Sequence, residues 1–183
     1  VVMVVSFSIL GWIGTRIYQE MPPIPDRVVA TDGTQVTAAG DIGRGQNVWQ
    51  STGGMQQGSI WGHGSYVAPD WSADWLHREA IALREIWAQR DFGAAFAHLQ
   101  PSQQAQLDAR LKTEMRRNTY DATSGVISLS ADRAAAVAKV AQHYIDLFGT
   151  DPGLNALREQ YAMPANVLHD GADRQALAAF FFW

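Results

Sequence analysis

The stretch TGGMQQGSIWGHGSYVAPDW, residues 52–71, combines flexible glycines with three large aromatic side chains and a proline. It is too rich in glycine for a core strand, because glycine weakens regular structure. It is also too aromatic for an ordinary solvent-exposed loop. We therefore expect an irregular segment whose rings pack against, or around, something in the rest of the domain.

Regular elements are predicted on both sides of this stretch. Asp32-Gly33 is a turn signal between Val28-Val29 and Val36, which predicts a small β-hairpin. A short helix follows, in which Gly43 and Gly45 permit close approach of another backbone. Further helices are predicted at residues 72–92, 101–118, 131–149, 152–161 and after Asp170, with long loops near residues 50–70 and 119–129. The expected N-terminal caps include Ser72, Ser130 and Asp170, and Gly93 is the expected stop of the helix at residues 72–92. The predicted fold is therefore mainly α with one small β-hairpin.

Both ends of the chain are apolar. Residues 1–14, VVMVVSFSILGWIG, carry no charge, and we interpret residues 1–18 as the outer part of a transmembrane helix. A cleaved signal peptide and a buried core helix are the alternatives. Residues 176–183, ALAAFFFW, become steadily more apolar, which predicts that a second transmembrane helix starts over residues 175–183. Residues 19–174 would then form a water-facing domain.

Composition excludes several classes of function. The 183 residues carry a net charge of −4, so there is no basic field for nucleic acid. The chain has no cysteine, which excludes disulfides, thiolate metal sites and covalently attached c-type haem. Phosphate-binding, dinucleotide-binding and nucleophile-elbow motifs are also absent.

The histidines show no zinc-binding helix motif. Asp70, Asp74 and His77 nevertheless fall on one face of the helix predicted from residue 72, and they are the one candidate metal site that spacing offers. Helix capping by the carboxylates on a solvated face is the alternative explanation for the same residues.

The segment from Trp49 to Pro69 resembles a known family. The cytochrome c subunit of two-subunit nitric oxide reductases has the pattern W-x4-C-x-x-C-H-x3-G-x-G-x-Y-x-A-P. Aligned without a gap, Trp49 matches the tryptophan, and the glycine, tyrosine, alanine and proline positions also match, at Gly62, Gly64, Tyr66, Ala68 and Pro69. GMQQG, residues 54–58, stands where CxxCH would stand. Three stretches look like the single-chain, quinol-dependent enzymes of this group: WGHGSYVAPDWSADWLHRE, LREQYAMP and ALAAFFFW.

The resemblance implies a cytochrome c-like helical domain that has lost its haem, flanked by transmembrane segments. Because both thiols and the axial histidine of a c-type site are missing, no haem is expected in this segment. We expect four tryptophans to help fill the vacated space: Trp49, Trp61, Trp71 and Trp75. The family also implies a calcium ion held partly by the Gly64 carbonyl and by Tyr66, with packing against a membrane domain as the alternative role of both residues.

The implied parent enzyme reduces two NO to N2O with electrons from quinol. Its haem b, haem b3 and non-haem iron would lie in a haem-copper-oxidase-like membrane domain of the same chain. The present segment would contain no catalytic residue, would cap that membrane domain and would face the periplasm or the cell exterior from the bacterial cytoplasmic membrane. Expected partners are the membrane domain, membrane lipid and, for the parent enzyme, quinol, NO and a second copy. A membrane-anchored sensor or binding domain is the alternative.

Overall fold

A computed structural model describes all residues, Val1–Trp183. Seven α-helices and four short strands follow one another along the chain. In chain order they are α1 (Val2–Glu20), β1 (Arg27–Ala30), β2 (Gln35–Thr37), α2 (Asp41–Ser51), α3 (Trp71–Phe92), α4 (Pro101–Arg116), β3 (Tyr120–Asp121), β4 (Val126–Leu129), α5 (Ala131–Leu147), α6 (Asn155–Gln160) and α7 (Gly171–Phe182). Short 3₁₀ helices lie at Gly54–Gln57, Phe96–His98 and Pro152–Leu154. The prediction of a mainly α fold is confirmed.

The sheet is larger than the sequence suggested. The predicted hairpin is present as β1 and β2, but a second hairpin, β3 and β4, lies inside the loop expected at residues 119–129. The strand order is β2-β1-β4-β3, and β1 pairs with β4 in parallel. Two strands alone would be marginal. The parallel pairing joins residues about 100 positions apart, so no local pattern announces it.

Three helices, α3, α5 and α7, enclose the core, and α2 packs along α7. Gly45 lies at the closest point of the α2–α7 contact. A Cβ atom built there would lie 2.0 Å from the carbonyl oxygen of Ala176. The expectation that a glycine of α2 admits another backbone is therefore confirmed at Gly45, whereas Gly43 has no atom within 4 Å of its own Cβ position.

Helix ends follow the predicted capping chemistry with one difference. Ser130 caps α5 and Asp170 caps α7 through side-chain bonds to backbone N–H groups, and Gly93 ends α3 in the left-handed conformation. Asp70, rather than the predicted Ser72, caps α3. The Ser72 hydroxyl instead accepts a hydrogen bond from the Trp61 N–H, at 3.0 Å.

The two apolar ends of the chain differ in their surroundings. Helix α1 buries none of its residues. The aromatic end packs within the domain, since Ala176 to Phe181 are all buried, and the start of a second transmembrane helix over residues 175–183 stays a prediction. Core packing explains their apolar character. None of the helices combines the length with the apolar character that a membrane crossing requires.

Candidate functional site

The glycine-rich stretch forms a closed loop between α2 and α3. The N–H of Ser59 donates to the carbonyl of Pro69 at 3.2 Å, and the N–H of Trp71 donates to the carbonyl of Ser59 at 2.8 Å. These two bonds bring the ends of the segment from Ser59 to Trp71 side by side. The loop is therefore a defined structure that projects from the start of α3, as in compact Ω-type loops.

Asp70 fastens this loop at its base. One carboxylate oxygen accepts hydrogen bonds from the Ser59 hydroxyl and the Gly62 N–H, both at 2.6 Å. The other accepts from the Ala73 N–H at 3.0 Å and caps α3. Partial burial alone would raise the pKa of Asp70, but the hydrogen bonds from Ser59, Ala73 and Gly62 outweigh it and lower that pKa. The Asp70 carboxylate thus has a structural role, which is to hold the loop against the start of α3.

Gly58 occupies the position where the family pattern has its axial histidine, and the space beside it is filled. Its φ is +121°, and a Cβ atom built on it would lie 1.9 Å from Nε1 of Trp71. The Trp71 side chain is completely buried and donates from Nε1 to the carbonyl of Gln57 at 3.1 Å. The indole of Trp49 donates to the carbonyl of Gly58 at 3.3 Å. Two indoles therefore hold the backbone at the position that would otherwise carry an iron ligand.

Trp71 is surrounded by further rings. Phe181 of α7 stacks on it with ring centroids 5.3 Å apart and an interplanar angle of 16°. Tyr144, Phe148 and Tyr161 present their edges to it at 5.6 to 6.0 Å. Stacked and edge-on aromatic contacts are favourable beyond simple burial. The centre of the domain is therefore a packed aromatic cluster with no room for a porphyrin.

A polar layer adjoins the aromatic cluster. Tyr144 stacks on Trp75 at 5.4 Å and donates its hydroxyl to Asp74 at 2.7 Å. Burial and the Asp74 carboxylate raise the pKa of Tyr144, so the phenol remains protonated. On the other side, the Trp75 indole donates at 3.0 Å to the buried Glu79, which pairs with Arg133 at 2.7 Å. These polar groups are therefore satisfied by partners within the domain.

The prediction of a candidate metal site at Asp70, Asp74 and His77 is wrong. No group of three histidine or carboxylate side chains in the chain could hold a metal ion. Asp70 bonds to the loop and the helix start, as described above. Asp74 pairs with Arg78 at 2.7 Å and accepts from the Tyr144 hydroxyl, and His77 is exposed on α3. The capping explanation is correct for Asp70, whereas Asp74 is a partly buried partner of Arg78 and Tyr144.

The outer edge of the loop is exposed. Gly62 and Gly64 have φ of +79° and +76°, and nothing lies within 4 Å of either Cβ position. Tyr66 is 95% exposed and Val67 is 48% exposed. Trp61, itself half exposed, contacts Trp183 with centroids 5.0 Å apart, and the Trp183 indole donates to the carbonyl of Pro23 at 3.1 Å. The loop edge, the end of α7 and the segment after α1 therefore lie together on one side, called here the loop face.

Comparison with known families agrees with this architecture. The sequence profile for the NorB cytochrome c-like domain of nitric oxide reductase matches residues 25–183. The chain belongs to this family. It is thus part of the nitric oxide reductase group of oxidoreductases, and its match begins just after α1 and includes α7. No curated protein sequence matches the chain closely.

Within the family, this chain is a haem-less version of the cytochrome c-like domain. It lacks every cysteine, has glycine at the axial position and contains no metal site. A c-type haem does not fit the residues present, because the Trp71 indole occupies the space next to Gly58. The domain therefore cannot pass electrons through a haem of its own.

The tryptophans predicted to fill the haem space divide into three groups. Trp71 and Trp75 are buried in the core, and Trp49 is half buried against Phe180 at 5.8 Å. Trp61 is not a filler, since it points towards Trp183 on the surface with φ of +56°.

The sequence reasoning missed Phe181, the ring that stacks on Trp71, because it assigned the end of the chain to the membrane. The run FFFW, which follows Ala178 and Ala179, was the available signal for aromatic rings that pack in the core.

Proposed function

We propose that this domain is a structural cap for the membrane domain of a quinol-dependent nitric oxide reductase. The single observation that carries the proposal is the aromatic core at Gly58, which keeps a cytochrome scaffold while removing any place for iron. Quinol delivers electrons from the lipid phase, so the parent enzyme needs no haem in this domain. The domain itself contributes no catalytic residue.

The loop face is the surface that we propose as the contact with the membrane domain. It exposes the apolar groups of Trp61 and Val67, together with Tyr66, around two glycines that leave open space. Exposed apolar groups of this kind mark interaction sites. The face also carries the connection to α1, an apolar helix with no buried residue, which we propose as a membrane anchor. The domain would thus face the periplasm from the bacterial cytoplasmic membrane.

The same face supports the calcium proposal. The Gly64 carbonyl and the Tyr66 phenol are oxygen ligands of the type that calcium accepts, and both residues lie on the open edge of the loop. No carboxylate cluster completes a site within this domain. We propose that the membrane domain supplies the other ligands, next to haem b, haem b3 and the non-haem iron. A homodimer of the parent enzyme is part of the same proposal.

The test uses the complete enzyme in membranes and two matched variants. Val67 and Ile81 are equally exposed, at 48% each, but only Val67 lies on the loop face. We expect Val67→Asp to lower quinol-driven NO reduction and haem retention, because a carboxylate would be buried at the contact. Ile81→Asp on α3 should leave both unchanged. Equal activity of the two variants would refute the capping role.

The calcium part is tested separately. Tyr66→Phe removes one ligand oxygen while keeping the ring, so the purified enzyme should lose bound calcium in elemental analysis. Unchanged calcium content would remove Tyr66 from the site, and the capping proposal would remain open to the test with Val67.

A further inference from the structure

A groove on the side of the domain has the features of a small-molecule site. It has a volume of about 580 Å³ and lies between α5 and α7, with the β1–β2 hairpin along one side. This volume falls within the range of about 300–1,000 Å³ that is usual for ligand pockets. The groove meets the aromatic core only at Trp75 and the loop face only at Phe182, the last residue of α7.

The walls of the groove are shaped by small residues. Seven of its lining residues are alanines, five on α5 and two on α7, and rings of Trp75 and Phe182 also line it. Alanine side chains leave a flat, shallow surface on both helices. Such walls fit a planar apolar molecule better than a bulky branched one, because a flat ring can contact both helices at once.

The charge of the groove selects among apolar ligands. Its only charged lining residues are Asp32 and Asp41, and no lysine, arginine or histidine lines it. An anionic ligand would face two carboxylates without a cation nearby, which is unfavourable. The groove therefore favours neutral or cationic molecules that carry hydrogen-bond donors.

One polar group at the groove has no partner. Thr37, a lining residue with 6% exposure, has a buried hydroxyl that makes no hydrogen bond within the protein. Buried polar groups without partners are uncommon in folded proteins and call for an explanation. The hydroxyl has almost no exposed surface of its own, so a ligand bearing a donor or acceptor at this end of the groove would provide the missing partner once the Thr37 side chain rotates towards it.

We propose that the α5–α7 groove binds a flat, mainly apolar aromatic molecule that is neutral or cationic and carries an amine or hydroxyl group. Its rings lie along the alanine faces of α5 and α7, and its polar group lies at the hairpin end near Thr37 and Asp41. The groove lies between α5 and α7, and its lining includes none of the exposed loop residues from Trp61 to Val67. It shares only Phe182, at the end of α7, with the loop face, so the proposal is tested separately from the capping role.

Two fluorescent dyes with the same ring framework test the charge and shape requirements. N-phenyl-1-naphthylamine is neutral and carries one N–H donor, while 8-anilinonaphthalene-1-sulfonate adds only a sulfonate. We would titrate each dye into the full 183-residue chain in detergent, with its alanine methyl groups labelled with ¹³C. Ring-current shifts in the methyl spectrum locate the dye on the protein, so dye in micelles does not confuse the result.

The neutral dye should shift the methyl signals of Ala135, Ala138 and Ala178 in the groove. It should leave those of Ala105 and Ala109, on exposed positions of α4, unchanged. The sulfonated dye should bind about tenfold more weakly or not at all. Shifts that fail to favour the groove alanines, or equal binding of the two dyes, would overturn the proposal.

Variants add a second, independent comparison. Ala138→Phe fills the groove and should weaken the neutral dye at least about tenfold, whereas Ala109→Phe on α4 should not. Thr37→Val removes the hydroxyl with little change of shape and should weaken the dye about threefold to tenfold. If Ala138→Phe does not fold, the dye comparison in the unmodified chain still decides the question. Full-strength binding by both groove variants would refute the assignment.

Discussion

Placing a single methyl group on Gly58 should destabilise the domain more than its size suggests. In Gly58→Ala the new Cβ would lie 1.9 Å from Nε1 and 2.2 Å from Cε2 of Trp71. Trp71 cannot easily move, because Phe181 stacks on one face of its ring and three further rings pack against it in edge-to-face geometry. The methyl group and the indole therefore compete for one volume.

The magnitude has two parts. A non-glycine residue at a φ of +121° costs about 1–3 kcal/mol of backbone strain. Overpacking of a rigid core adds about 1–3 kcal/mol. Gly53 is the control for positive φ, since its φ is +103° and the nearest atoms to its Cβ position lie 3.8 Å away, although its ψ is 0° and that of Gly58 is 138°. Gly53→Ala should show only the strain of a positive φ, so the variants should differ by at least about 1–3 kcal/mol.

Equilibrium unfolding in urea, followed by far-ultraviolet circular dichroism, measures both variants of the 183-residue chain. A double-mutant cycle then tests the cause. In a Trp71→Leu background the indole is gone, so Gly58→Ala should cost little more than Gly53→Ala does. The reasoning is refuted if Gly58→Ala costs no more than the control in the unmodified chain.

Three further predictions concern other contacts. Gly45→Ala should lower the free energy of unfolding by about 1–3 kcal/mol, because its Cβ would meet the α7 backbone. Gly43→Ala should not be destabilised, because nothing lies near its Cβ position. Arg133→Met should lower the unfolding free energy by about 3–5 kcal/mol, because it leaves the buried Glu79 carboxylate unpaired. Despite partial burial, hydrogen bonds from an arginine and a tryptophan lower the pKa of Asp132, so its stabilising contribution is present above about pH 4 and is lost below it. Asp132→Asn should therefore flatten the fall in stability measured by urea titrations between about pH 4 and 2.

Each of these predictions has an outcome that would contradict it. Equal urea midpoints for the Gly45 and Gly43 variants would show that α7 can shift without cost. Recovery of stability in a Glu79→Met, Arg133→Met double variant would support the unpaired charge as the cause, and continued loss would point to packing instead. If Asp132→Asn leaves the loss of stability at low pH unchanged, other carboxylates control acid unfolding.

Local chemistry predicted most of the helices. The turn signal Asp32-Gly33, the caps at Ser130 and Asp170 and the stop at Gly93 depend on residues within a few positions of one another, and all are present. The β1–β4 pairing was not predictable in the same way, because its two strands are short and far apart in the chain.

The sequence predicted that the site lacks haem, and the structure shows which side chains fill the space. Missing cysteines and the pattern around Gly58 already excluded covalent haem. Which ring fills the space depends on tertiary packing, and the sequence does not rank Trp71 above Trp61. The packing of Phe181 on Trp71 was not predicted, because an apolar, aromatic helix has the same composition whether it faces lipid or a protein core.

The position of Phe180 and Phe181 within the chain has a consequence for biosynthesis. These rings cover Trp71 and Trp49, yet the ribosome makes them about 110 residues after α3 begins. Until α7 emerges, the nascent domain exposes its largest indoles to water, so it remains open to chaperones and proteases during that interval. Translation must therefore reach the final helix before this domain can close, and any pause upstream of residue 171 prolongs that vulnerable period.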